Sequence, residues 1–126
     1  MPLGDNDAKN EALDALVAAF PDDGTYRLFA GRPDGSGTEL TSDGGYAPAA
    51  HGTADWAAAA DGSKTTTAAV SFGTSTDAYS DVADYWAVCR ADGSVYYWDI
   101  LTDPISVTAA GVAVSFKPRV YFEDAV

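Results

Sequence analysis

The clearest pattern along the chain lies at Tyr85–Leu101, where two runs rich in aromatic and β-branched residues flank Ala91-Asp92-Gly93-Ser94. Such residues suit a pleated, half-buried surface, and Asp-Gly accepts the positive φ of a tight hairpin turn. The pattern predicts a β-hairpin. In its first arm Trp86 and Val88 share one face, and Tyr85, Ala87 and Cys89 share the other. In its second arm Tyr96, Trp98 and Ile100 oppose Val95, Tyr97 and Leu101. Neither face is polar, whereas a half-wet strand should alternate cleanly. One face is expected to join the core. The other is expected to meet a second sheet, a covering helix or another subunit.

A helical period occurs once, over residues 5–20. Leu13, Leu16, Val17 and Phe20 follow i, i+3, i+4, i+7 and make one apolar stripe. Asp5 or Asn6 can cap the helix, and Pro21 stops it. The stripe is expected to cover the open face of the sheet or to pack on a neighbouring subunit. Further strands are expected at 26–30, 38–40, 64–72, 105–108, 112–116 and 120–122, beside hairpin arms at 85–90 and 95–101. Asp34-Gly35, Gly44-Gly45 and Asp61-Gly62 mark turns between them. Pro48 makes 46–51 an edge strand or an irregular crossing. The stretch 54–60, with Trp56 ahead of four alanines, fits a helical turn or an extended arm. Short strands at this spacing indicate an all-β fold: an antiparallel β-sandwich, with a jelly roll as one form of it, and one N-terminal helix. The division expected is a helical segment over 1–24, which contacts a partner or subunit, and a single β-sandwich domain over 25–126.

Length and composition agree with this. A chain of 126 residues with 47% hydrophobic content can enclose a core. Nothing at the N-terminus resembles a secretory signal, and no apolar run approaches the ~18–20 residues that span a bilayer. The net charge of −12 disfavours nucleic acid and anionic membrane as partners, since affinity for both comes mostly from Lys and Arg. The acids are nearly all Asp and are spread along the chain, as solvated turns would be.

Candidate chemistry is sparse. His51 is the single histidine and Cys89 the single cysteine. No nucleophile setting surrounds His51, and a zinc site lacks its ligands. Cys89 sits in a hairpin arm and reads as a buried thiol. The glycines of 31–37 lack the Lys of a phosphate loop. Asp77, Asp81 and Asp84 lie close together but do not follow an EF-hand spacing. The expectation is a protein that is not an enzyme, with no catalytic residues, no cofactor and no metal site. The tryptophans and tyrosines read as core and interface anchors, or as a sugar platform.

Two stretches carry a resemblance. Gly37-Thr38-Glu39-Leu40 with Gly44-Gly45-Tyr46-Ala47, followed by Thr67-Ala68-Ala69-Val70-Ser71-Phe72, resembles a family of small tailed-bacteriophage virion proteins. Members of it are labelled tail fibre, minor structural or decoration proteins. Asp84–Val88, Asp92-Gly93, Leu101-Thr102-Asp103-Pro104 and Val107–Phe116 resemble its later segments in the same order. Each motif is ordinary strand and turn chemistry; the shared order carries the resemblance. Pro48 stands where the family has Arg, so any contact made by that Arg is absent here.

The resemblance implies a β-rich, non-enzymatic protein on the virion exterior, made in the host cytoplasm. The role expected is a capsid decoration or cement protein with the major capsid protein as partner. The alternative is a tail or head fibre component that recognises a host-surface receptor such as a cell-surface glycan. Self-association, as a homotrimer by analogy with virion surface proteins, is expected through Leu13, Leu16, Val17, Phe20, Tyr96 and Trp98. The helix stripe and the doubly apolar hairpin together offer more apolar surface than one small core needs.

Overall fold

The computed structural model describes residues 6–53 and 55–122. The protein is mostly β, with one N-terminal helix and antiparallel sheets. The helix is α1 (Asn6–Ala18). The strands are β1 (Thr25–Ala30), β2 (Thr38–Glu39), β3 (Ala49–Ala50), β4 (Ser63–Thr65), β5 (Val70–Thr74), β6 (Ala83–Cys89), β7 (Val95–Ile105), β8 (Ala113–Phe116) and β9 (Arg119–Tyr121). Asp5, one of the two expected caps, lies outside the described residues.

The chain forms two compact units. The first comprises the described parts of Met1–Phe20, Ala54–Val70 and Phe116–Val126; the second comprises Pro21–Thr53 and Ser71–Ser115.

In the first unit α1 packs on β4. Asn10 Oδ1 accepts the Gly62 N–H at 3.0 Å, and Lys64 Nζ reaches Asp14 Oδ1 at 2.7 Å. Leu13, Val17 and Phe20 are buried, and the Phe20 ring meets Trp56 edge-on at 6.1 Å. The stretch around Trp56 is extended. Ala57 donates to the Thr65 carbonyl and Thr67 to that of Asp55, so this stretch is a hairpin arm facing β4. Pairing overrides the helical preference of its alanines. The turn is closed by reciprocal bonds between Ala60 and Ser63. Asp61 and Gly62 both take positive φ there, 52° and 76°, as a primed two-residue turn requires. β4 also pairs with β9, setting Lys64 opposite Val120.

The strand expected over 64–72 is two strands, β4 and β5. Threonine side chains break it. The Thr66 hydroxyl donates to the Ala68 carbonyl at 2.7 Å, and Thr66 is itself buried. Such local bonds compete with a ladder.

The second unit holds a five-stranded sheet in the order β2-β1-β6-β7, with β3 also paired to β1, and the pair β5–β8. β6 and β7 are the hairpin read from the sequence. Gly93 at φ 88° and its bond to the Arg90 carbonyl close a type I turn with a glycine bulge. Tyr26, Leu28, Trp86 and Val88 fill one face of the sheet and are almost wholly buried. Contrary to the break expected at Asp103-Pro104, β7 runs through Pro104 to Ile105, and no strand forms over 106–108. Pro104 is tolerated because β7 is an edge strand.

Two backbones meet closely in this unit. Ala47 donates to the Phe72 carbonyl at 2.9 Å, and Thr76 to that of Gly44 at 3.0 Å. A Cβ on Gly45 would overlap the Thr74 carbonyl, and one on Gly73 would overlap the Gly45 carbonyl. Both glycines also have positive φ, 87° and 95°. Gly45→Ala should therefore cost about 3 kcal/mol or more in chemical denaturation, through overlap and left-handed strain together. Gly35, with open space around it, should accept alanine within about 0.5 kcal/mol.

Candidate functional site

The second face of the five-stranded sheet is where exposed, chemically distinctive side chains gather. Register places Arg27 and Phe29 of β1, Tyr85, Ala87 and Cys89 of β6, and Trp98 and Ile100 of β7 on it. Phe29, Ala87 and Cys89 are buried there, with Tyr85, Val95 and Trp98 packed against them. Tyr85 and Trp98 meet edge-on at 5.7 Å. Two arginines lie over aromatic rings: Arg32 at 5.0 Å from Trp98 and Arg90 at 5.1 Å from Tyr96. Arg32 is also forked onto the Asp34 carboxylate. The surface is thus aromatic, with its cations partly neutralised. It can stack and bury partner groups.

The residues singled out from the sequence separate into two sets. Leu13, Val17 and Phe20 are buried within the chain, and Leu16 is half-buried. Within the same unit α1 packs on β4 and Phe20 meets Trp56. Tyr96, at 37% exposed, and the half-buried Trp98 lie on the hairpin and remain accessible. Trp86 is core. Cys89 is fully buried, and burial pushes its thiol above the ordinary value. Among the described residues no group of His, Cys, Asp or Glu could hold a metal ion. Asp84 is spent on the Gly31 N–H at 2.8 Å and Asp77 on that of Ala78.

A polar network in the second unit joins two residues of the quoted motifs, Glu39 and Tyr46, to Arg27 and Leu28. Tyr46 Oη donates to Glu39 Oε2 at 3.0 Å and accepts the Leu28 N–H at 3.0 Å. Glu39 Oε1 takes Arg27 Nη1 at 2.9 Å, and Arg27 Nε donates to Thr25 Oγ1. The Tyr46 ring lies parallel to Phe72, 6.2 Å between centroids. Burial, with the Glu39 carboxylate adding to it, holds the Tyr46 hydroxyl protonated far above its ordinary range. The motif residues Glu39, Tyr46 and Phe72 thus meet in one interior. Their spacing in the sequence was visible; their joint hydrogen bonding was not. No family model, curated protein or solved structure matches the chain.

His51 is a structural partner of Tyr26. The buried Tyr26 hydroxyl lies 2.6 Å from His51 Nδ1, where a neutral imidazole accepts its proton. Burial lowers the His51 pKa below its ordinary 6.5, with Asp22 opposing.

Two predictions follow from these bonds. Tyr46→Phe should keep the fold but lose about 1–3 kcal/mol in urea melts, because the Leu28 N–H and Glu39 each lose a partner. For His51 the unfolded chain binds the proton first. Its contribution is therefore full above the unfolded value of 6.5 and is lost as pH falls through the lowered folded value. Melting temperature should drop over that window, and His51→Gln should flatten the drop. The depressed carboxyls of Asp14, bonded to Lys64, and Asp92, bonded to Ser94, act only lower, below their ordinary 3.8.

Proposed function

We propose that this is a non-enzymatic bacteriophage virion protein that decorates the outside of the head and bridges neighbouring copies of the major capsid protein. The observation that carries the reading is the order of the motifs along nearly the whole chain. Its support from the fold is specific. Glu39, Tyr46 and Phe72, which belong to the two quoted motifs, bond and stack together, with Gly44-Gly45 giving the close approach. A chain sharing these residues in this order would share this interior. The finer fold class that goes with the reading is an antiparallel β-sandwich. An acidic exterior suits the outer side of a shell whose inside holds DNA.

Leu13, Val17 and Phe20 are buried within the chain, so among the described residues the exposed large apolar side chains behind the trimer expectation are Val82, Tyr96, Ile100, Val112 and Phe122. The second reading, a fibre component that recognises a host glycan, draws on accessible Tyr96 and Trp98.

Counting copies per purified particle by quantitative mass spectrometry, and locating them by electron microscopy, separates the two. Copies spread in hundreds over the shell are expected. A handful at the tail would sink the decoration role and favour the fibre. The intact protein is the right material, because removing residues 1–20 would strip Leu13, Val17 and Phe20 from a core.

A further inference from the structure

β7 is the last strand of the five-stranded sheet, and among the described strands none pairs with its far side. Which of its backbone groups face outward follows from register. Leu28 gives its N–H to Tyr46 Oη and its C=O to the Leu40 N–H, both away from β6. Trp86 lies opposite Leu28, so its own N–H and C=O turn toward β7 and meet Asp99. The neighbours of Asp99, Trp98 and Ile100, therefore turn theirs to the open edge. The Ile100 N–H agrees: it donates to Asp99 Oδ1 at 2.8 Å.

The side chains match these open positions. Trp98 and Ile100 both lie on the second face of the sheet, and Ile100 is the most exposed large apolar side chain among the described residues, at 51%. Proteins normally guard such an edge with charge or proline. Asp103 and Pro104 do so at the far end of β7. What is left without charge or proline on the backbone edge is Trp98-Asp99-Ile100: two outward backbone positions, with the Ile100 N–H covered by Asp99 Oδ1 in the unbound chain, two apolar side chains and that one carboxylate between them.

We propose that this window docks an extended segment of another protein by strand addition, with apolar residues beside Trp98 and Ile100 and a Lys or Arg opposite Asp99. Charge favours a basic segment twice. The net charge of −12 steers it in, and Asp99 meets it at the centre of the pairing. A second copy fits poorly. The antiparallel register that pairs Trp98 with Ile100 of another copy sets the two Asp99 carboxylates face to face. The inference stands on the sheet register and is independent of the virion reading.

The test uses the full chain and two blocked peptides, Ser-Thr-Val-Lys-Val-Thr-Ser and Ser-Thr-Val-Glu-Val-Thr-Ser. Binding is read from backbone amide shifts and hydrogen exchange. The Lys peptide should slow exchange at Trp98 and Ile100 and bind about fivefold tighter or better than the Glu peptide. Asp99→Lys should reverse the order. Ile100→Pro removes an outward N–H without touching the β6–β7 ladder, so it should abolish binding while the fold survives. Equal binding of the two peptides, no binding, or shifts away from β7 would overturn the proposal. So would a peptide-free dimer that Ile100→Pro dissolves, which would assign the edge to a second copy.

Discussion

The second unit depends on a place where two backbones come together with no room for a side chain between them. At Gly45 and Gly73 the chain segments after β2 and through β5 approach until a single methyl would force them apart. That approach sets the bonds from Ala47 to Phe72 and from Thr76 to Gly44, and it lays Tyr46 flat along Phe72. With the ring held there, its hydroxyl reaches both Glu39 and the Leu28 N–H. Glu39 in turn anchors Arg27. A packing constraint on two glycines thus ends in a charge pair on the face of another sheet. The glycines carry no chemistry themselves, yet they decide where the polar groups go.

The same logic explains why the acids are aspartates. Asp14, Asp43, Asp77, Asp84, Asp92 and Asp99 each accept a backbone N–H, from Ala59, Ser80, Ala78, Gly31, Ser94 and Ile100 respectively. Asp77, Asp92 and Asp99 do so locally, where a short carboxylate reaches its own turn, and Asp14, Asp43 and Asp84 tie down distant segments. The acidity is therefore partly architectural. It closes turns and covers donors in a protein whose strands are short and whose loops are many.

How much of this the sequence revealed depends on whether the deciding interaction was local. The hairpin at Tyr85–Leu101 was legible because its turn residues and aromatic runs act on their neighbours. The turn at Asp61-Gly62 was legible for the same reason. The break at Thr66 was not, since alternation predicts a strand, whereas the Thr66 hydroxyl bonds the Ala68 carbonyl instead. The arm around Trp56 became extended only by pairing with residues after the turn. The apolar stripe of α1 was read correctly as a stripe, but nothing along the chain says what covers it. The second sheet face was visible as two aromatic runs without a polar side; Arg32 and Arg90 over those rings were not. Arg32 reaches Trp98 from a distant loop and Arg90 reaches Tyr96 across the hairpin turn, spacings that no strand or helix period marks.

The division of the chain has a consequence for how the molecule is made. The second unit ends at Ser115, whereas the first draws on the beginning, the middle and the end of the chain. β4 finds β9 only when Arg119–Tyr121 exists. During synthesis from the N-terminus, α1 emerges before every described strand but belongs to the unit that closes last. Until Arg119–Tyr121 emerge, Leu13, Val17 and Phe20 have no finished core to enter. Arg119–Tyr121 are then a clasp, and a ribosome that stops short of them leaves α1 unhoused.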